Sequence, residues 1–280
     1  MGVRIGLDMG GSTWKLVAQD AASLAAVDVR SGDGLMQVPA GAADVARVFR
    51  TFLARLGARP ADVDEVALVG VGADAVDQTV LGVPVRRVEE FSAVGVGGRA
   101  LAGCERCVVM SMGTGTSLVV ADARGCRHLG GSGVGGRALQ GLAHALLGVD
   151  DARELAAIAR TGDRTSVDLL VRDLTTQGVA GLTGDLTAAN FGKLVGDGAA
   201  PGPADLASAL VNAVFETLGM MAVFACKGTD LHDVVLVGTL ARLPQAREVM
   251  DGLGELHGLR MHVPELAPYA TAVGALVAGR

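Results

Sequence analysis

Two glycine-rich segments, each set in an apolar run, constrain this chain more than any other feature. The first reads Val3-Arg-Ile-Gly-Leu-Asp-Met-Gly-Gly-Ser-Thr13, the second Cys107-Val-Val-Met-Ser-Met-Gly-Thr-Gly-Thr-Ser-Leu-Val-Val120. Each predicts a strand, a tight glycine turn and a returning strand. Glycine lets the backbone approach a ligand closely, and successive N–H groups at such a tip can converge on one anion. Asp8 stands at the exit of the first strand, where a carboxylate can hold a metal ion. Two such tips and one acid point to a nucleoside triphosphate clamped between two lobes.

The rest of the composition narrows the class. A chain of 280 residues, half of them hydrophobic and 19% charged, is globular and long enough for a substantial core. A net charge of −6 without a Lys/Arg run gives no footprint for nucleic acid. No stretch reads as a membrane span by its spacing of charges, and the N-terminus opens directly on a strand, so a cytoplasmic location and no membrane partner are expected. Cys104-Glu-Arg-Cys107 has the spacing of half a zinc or redox site, but no second close pair completes it, and the expectation is ordinary reduced thiols.

Apolar periodicity predicts strands at Val3–Leu7, Trp14–Gln19 and, more weakly, Leu24–Val29, then a helix over Ala42–Leu56. A buried strand at Val63–Val71, a short helix at Ala73–Val80 and a strand at Val83–Val88 follow. The order is that of a ribonuclease-H-like lobe. A helix at Phe91–Ala102 leads to a second copy of the plan, with strands at Cys107–Ser111, Ser117–Asp122 and Cys126–Leu129. Helices are predicted at Leu139–Leu147, Ala152–Arg160, Asp205–Cys226, Pro244–Leu253 and Tyr269–Ala278, with strands at Val234–Val237 and Arg260–Val263. The expected fold is therefore α/β: two ribonuclease-H-like lobes, residues 1–95 and 96–280, with a nucleotide cleft between them. A polar, glycine-rich insertion around 161–203 obeys no simple period.

The motifs resemble the actin/hexokinase/Hsp70 ATPase superfamily and, within it, the type II pantothenate kinases of the short bacterial form. Ile5-Gly-Leu-Asp-Met-Gly-Gly-Ser-Thr-Trp-Lys15 is similar to that family's first phosphate loop, and Met112-Gly-Thr-Gly-Thr-Ser117 to its second. Arg87-Val-Glu-Glu-Phe-Ser-Ala93 resembles the segment with its catalytic glutamate. Gly130-Gly-Ser-Gly-Val-Gly-Gly-Arg-Ala-Leu-Gln-Gly-Leu142 resembles its nucleotide-side glycine loop. The longer Gly162-Asp-Arg-Thr-Ser-Val-Asp-Leu-Leu-Val-Arg172 and Gly184-Asp-Leu-Thr-Ala-Ala-Asn-Phe-Gly192, and the tail Thr271-Ala-Val-Gly-Ala-Leu276, fit too. The resemblance implies phosphorylation of pantothenate by ATP, with Mg²⁺, in a homodimer.

Each candidate residue has a chemical reason. Asp8 would hold Mg²⁺, while the amides and hydroxyls of Gly10, Gly11, Ser12 and Thr13, with Lys15, would meet the phosphates. Thr114, Gly115 and Thr116 offer donors to the β- and γ-phosphates. Glu90 would take the proton of the attacking alcohol; Glu89 competes for the role, and alternation along a strand would send the two side chains opposite ways. The resemblance selects Glu90, whereas from spacing alone an acid opening the next helix would equally suit the helix dipole. Gly135, Gly136, Arg137 and Gln140 would approach ATP from the following helix, with Gly238 and Thr239 on the adenosine side. Gly131-Ser-Gly-Val-Gly-Gly136 satisfies the dinucleotide pattern by spacing, but Glu154, the acid at the required distance, lies in a helical stretch.

Two positions depart from the family. Its members carry an arginine for the carboxylate of pantothenate where this chain has His128, preceded by Arg127, and a glycine where this chain has Arg137. Thr114, Ser117 and His128 are the expected substrate contacts beside Glu90. The changes keep phosphoryl transfer credible and leave two alternatives open: a kinase of another small alcohol or sugar, or a non-catalytic nucleotide-binding regulator.

Overall fold

The computed structural model describes residues 2–20, 32–40, 44–175, 184–195 and 200–278. Two sheets share one strand plan. In the first, β1 (Val3–Met9), β2 (Thr13–Asp20), β3 (Leu35–Pro39), β4 (Val63–Val69), β5 (Thr79–Val80) and β6 (Val83–Arg87) lie in the order β3-β2-β1-β4-β6-β5. In the second, β7 (Cys107–Met112), β8 (Thr116–Asp122), β9 (Gly125–Ser132), β12 (Asp233–Val237) and β13 (Arg260–His262) run β13-β12-β7-β8-β9. Each sheet has an antiparallel meander of three strands, then parallel strands beside the first of them. The duplicated plan expected from the two glycine tips is what the chain adopts. The intervening β10 (Leu169–Leu170) and β11 (Thr187–Ala189) form a separate small hairpin in the insertion.

Helices cover both faces of the sheets, and the central strands are buried on both: β1 is buried along its whole length, Arg4 and Asp8 included. Helix α1 (Val45–Leu56) starts behind Asp44, whose carboxylate accepts from the Arg47 amide at 2.7 Å, and buries Phe49 and Phe52 against the outer face of the first sheet. On the outer face of the second sheet lie α3 (Gly136–Leu147), α4 (Ala152–Ala159), α6 (Pro203–Cys226) and α7 (Pro244–His257); the short α5 (Val171–Leu174) belongs to the insertion. Among the described residues α6 is the one helix long and apolar enough to cross a membrane, which its charge spacing alone did not bring out; over half of that stretch is buried among α4, α7 and the second sheet.

Between the sheets the chain crosses over. Helix α2 (Glu90–Ala102) follows the first sheet yet packs Val94 on Val109, Val119 and Val235 of the second. Helix α8 (Ala270–Val277) follows the second sheet yet packs Val273 and Leu276 on Val17, Ala67 and Val69 of the first. The two helices cross backbone to backbone: a Cβ at Gly97 would overlap the Ala270 carbonyl oxygen, and one at Gly274 that of Ala93. The sequence of α2 is rich in glycine for this reason.

Several local expectations are corrected. The third strand of the first sheet is Leu35–Pro39; the run Leu24–Val29 lies outside the described residues. Ala73–Val80 is a single 3₁₀ turn at Ala73–Ala75 followed by β5, not a helix. Leu81 and Gly82, both with positive φ (52° and 82°), close β5 onto β6 in a two-residue hairpin turn. Strand β9 runs on to Ser132, through residues expected to be loop, with an irregularity that leaves Leu129 without a partner on β8.

Candidate active site

The tips of both meanders and the ends of the parallel strands open on one cleft of about 480 Å³ between the sheets. It is lined by Asp8, Gly10, Gly11, Ser12, Thr13 and Lys15 from the first tip and by Gly113, Thr114, Gly115, Thr116 and Ser117 from the second. Glu90 and Phe91 enter from α2, Gly136, Arg137 and Gln140 from α3, and Gly238 and Thr239 from the end of β12. Residues far apart in the chain thus converge because each tip sits where a strand leaves the buried sheet.

Asp8 lies directly opposite Lys15 in the β1–β2 ladder, and their charged atoms stand 3.7 Å apart with both residues buried. Burial pushes the Asp8 carboxyl up to about 6, the Lys15 ammonium opposes that shift, and the charge of Glu90 adds to it. A buried carboxylate with one loosely spaced cationic partner is under-compensated and favours a further cation. The Thr116 hydroxyl, also buried at the cleft, has no hydrogen-bond partner within the described residues. Such a donor suits an anion brought in by a ligand. Ser12 Oγ and Thr114 Oγ1, 2.9 Å apart, join the two tips directly.

The two adjacent glutamates separate cleanly. Strand β6 ends at Arg87, so neither lies on a strand as expected. Glu89 caps α2, its carboxylate accepting from the amides of Phe91 at 2.9 Å and Ser92 at 2.6 Å. Glu90, the first residue of the helix, is exposed and lines the cleft, close enough to Asp8 to affect its ionisation.

Two expected site residues stand elsewhere. Gly135 is buried behind the second tip, where a Cβ would come within 2.7 Å of the Gly115 backbone. It brings the start of α3 onto that tip, so that the Gly136 and Arg137 amides donate to the Gly113 and Thr114 carbonyls at 2.8 and 3.1 Å. His128 is exposed, is not among the residues lining the cleft, and stacks flat on Phe91 with ring centroids 3.8 Å apart. The regular register from the Asp122–Gly125 turn sets this orientation: His128 pairs with Val119, on the α2 side of the sheet, and Arg127 with Val120 on the other, before the irregularity at Leu129. Arg127 therefore faces away from Phe91 and the α2 side of the sheet. The segment Gly184–Gly192 contributes nothing to the cleft lining; Asp168, fully buried, anchors it by accepting the Phe191 amide at 2.9 Å.

Sequence reasoning missed Phe91, Ser111, Ser132, Leu240 and Thr271 as lining residues, together with Val71, Gly113, Ala152 and Pro268. Ser111, next to last in β7, and Ser132, last in β9, lie beside the second tip, and their adjacency to it was the available signal. Thr271 comes from α8, whose return to the first sheet no local pattern announces.

The family described as Fumble matches residues 106–254, more than half of the chain. A type II pantothenate kinase of Staphylococcus aureus (strain MRSA252) is 29% identical over 228 residues, 78% of this chain and 84% of that protein. Among solved structures, the activator of the 2-hydroxyisocaproyl-CoA dehydratase from Clostridium difficile with bound ADPNP superposes with a TM-score of 0.67 at 17% identity, covering 98% of this chain and 93% of that one. A glucokinase of the ROK family from Streptomyces griseus, in complex with glucose and AMPPNP, does so at 0.60 and 15% identity, with 98% of each chain covered. Both share the two-lobed ATPase fold of the actin and hexokinase kind. With its matched segment spanning the second glycine tip, α3 and α6, the chain belongs to the Fumble family, that of the type II pantothenate kinases.

Proposed function

We propose that the chain is an ATP-dependent kinase that phosphorylates pantothenate to 4′-phosphopantothenate, the first step of coenzyme A biosynthesis. Family membership supports the reaction. The observation that carries it in this chain is the convergence of both glycine tips, Asp8 and Glu90 on one cleft. The triphosphate lies between the tips, with the amides of Gly10, Gly11 and Gly115, the hydroxyls of Ser12, Thr13, Thr114 and Thr116, and the Lys15 ammonium as donors. Gly136, Arg137, Gln140, Gly238 and Thr239 flank the nucleoside side. Asp8 fits a magnesium ion, because its buried charge is under-compensated by Lys15 alone. When bound there, Mg²⁺ supplies positive charge against the phosphate oxygens.

Glu90 accepts the proton of the pantothenate hydroxyl as that oxygen attacks the γ-phosphorus in line. The new P–O bond forms while the bond to the β-phosphate oxygen breaks, ADP leaves, and Glu90 returns its proton to solvent. Thr114 and Ser117 orient the acceptor. Glu90 at the cleft argues for a kinase over a non-catalytic nucleotide-binding regulator of the same fold. Cys104 and Cys107 lie at the start of β7, the end opposite the cleft, and take no part in it.

A second reading, a kinase of another small alcohol or sugar, is favoured by one observation: His128 stacks on Phe91 where the family's arginine would meet a carboxylate. ADP release by the purified protein with Mg²⁺-ATP, with and without pantothenate, tests both. Pantothenate-dependent turnover is expected. Nucleotide binding with no stimulation would overturn the acceptor assignment and lead to a panel of small alcohols and sugars. We further propose lobes at residues 1–95 and 96–280, a cytoplasmic location and a homodimer, the last read directly by sedimentation equilibrium.

The Asp8 shift sets a pH dependence. Its folded pKa of about 6 lies above the ordinary aspartate value of 3.8, so the stability it contributes is full below the lower value and lost above the higher one. Above pH 6 the ligand-free protein carries a buried charge that Mg²⁺ relieves. The rise in melting temperature on adding Mg²⁺-ATP is therefore expected to be larger at about pH 7.5 than at about pH 5. In Asp8→Asn this difference is expected to disappear. An equal rise at both pH values in the wild type would dismiss the metal role.

A further inference from the structure

The half-site Cys104-Glu-Arg-Cys107 lacks its second half in sequence but not in space. Asp233 opens β12 and His262 ends β13, and with Cys104 their donor atoms lie within 4.8 Å of one another. The strand register explains the meeting. Asp233 pairs with Arg260, and Val234 with Val108, so Asp233 and Cys107 are neighbours at the starts of adjacent parallel strands. Residues two apart share a face, which puts His262 beside Arg260 and both on the side covered by α2. Cys104 follows the left-handed cap Gly103, where α2 ends and before β7 begins.

We propose that Cys104, Asp233 and His262 form a zinc site, remote from the cleft. Thiolate, imidazole and carboxylate are the donors zinc takes in proteins, with bonds of about 2.0–2.3 Å that set neighbouring donors roughly 3.3–3.8 Å apart. His262 Nε2 and Asp233 Oδ1 are 2.7 Å apart in a hydrogen bond, so the metal would enter between them, opening that pair by about half an ångström or more while Cys104 turns in. That side chain is half-buried, and its turn gives up only weak sulfur contacts, with the Ala102 carbonyl at 3.9 Å and with the Cys107 thiol. Arg260 holds the carboxylate through both oxygens, at 2.7 and 2.5 Å. On metal binding it keeps Oδ2 and orients the group while Oδ1 turns to the ion. Burial, aided by the Asp233 charge, raises the Cys104 thiol, whereas its hydrogen bonds to Arg260 hold Asp233 down at about 2. Binding thus forms Zn–S, Zn–N and Zn–O bonds and releases the thiol proton to solvent; the carboxylate is already ionised, and the Nε2 proton that His262 gives it passes to Nδ1 by tautomer exchange as Nε2 takes the metal. Cys107 is fully buried behind Cys104 and is not counted; the fourth position goes to water.

The test is a titration of chelator-stripped, full-length protein with zinc chloride by calorimetry, with cobalt(II) as a spectroscopic substitute. One equivalent of zinc is expected, and cobalt should give a thiolate-to-metal charge-transfer band. Cys104→Ser and His262→Gln should each lose the bound equivalent, and Cys104→Ser should lose the band. Both variants should keep wild-type circular dichroism and turnover, since neither residue touches the cleft. Absence of stoichiometric zinc in the wild type, or its retention in both variants, would overturn the site. Because the readout is metal content, it stands apart from the kinase assignment.

Discussion

Glu90→Gln is expected to lower kcat by about 10²–10⁴-fold, the span that general-base catalysis contributes, while ATP still binds. The amide keeps the size of the side chain and its place at the start of α2, so the cleft retains its shape. What it loses is the capacity to take a proton as the acceptor oxygen closes on phosphorus. Glu89→Gln makes the informative contrast. That carboxylate accepts two amides at the helix start, so the cost is in stability, about 1 kcal/mol, with turnover nearly unchanged. Removing the Glu90 charge also withdraws one of the influences that raise Asp8. Residual activity in Glu90→Gln should therefore show its acid limb at lower pH than the wild type. Steady-state rates with nucleotide calorimetry decide the matter; a kcat within tenfold of wild type would remove Glu90 from the chemistry.

The parts of the site that local physics dictates were legible beforehand. A strand that must leave a buried sheet, turn on glycine and return is written in consecutive residues, and both tips with Asp8, Lys15 and Thr114–Ser117 came together on one cleft. What was illegible depends on contacts between distant segments. Glu89 is an unusual helix cap, so the pair Glu89-Glu90 reads as the tail of a strand, and the backbone stays extended to Glu89 before the helix begins at Glu90. The unpaired Leu129 changes the alternation of Gly130–Ser132 relative to His128 and Arg127, and nothing in Cys126–Gly130 announces it. Gly135 looks like part of a nucleotide loop because it sits among five other glycines; its role is to let α3 press against Gly115. Leu81 hides a hairpin turn because positive φ normally calls for glycine or asparagine there. The exchange of α2 and α8 between sheets involves no sequence period at all.

That exchange sets the largest expected effect on stability. Gly274→Ala would place a methyl carbon on the Ala93 carbonyl oxygen, and Gly97→Ala would do the same against Ala270. In each case the obstacle is backbone, which has no rotamer to yield. Retreat is also blocked, because α2 is fixed by its packing on Val109, Val119 and Val235 and α8 by its own on Val17, Ala67 and Val69. Separating the helices would uncover one of those cores. Overpacking of ordinary side chains costs about 1–3 kcal/mol, and with neither wall able to move each substitution is expected to reach at least the top of that range, about 3 kcal/mol. For a chain of this size that is a fall in Tm of roughly 6–12 °C. Gly252→Ala is the matched control. It lies on α7 with no neighbour in reach of a Cβ, and relief of the glycine penalty should stabilise it by up to about 1 kcal/mol. Thermal unfolding of the three variants separates a close-packed crossing from an incidental one: a drop under about 1 kcal/mol in both Gly97→Ala and Gly274→Ala would mean the helices can part freely. Since α2 also carries Glu90 and α8 carries Thr271 into the cleft, any variant that folds with the helices splayed should lose turnover before it loses nucleotide binding.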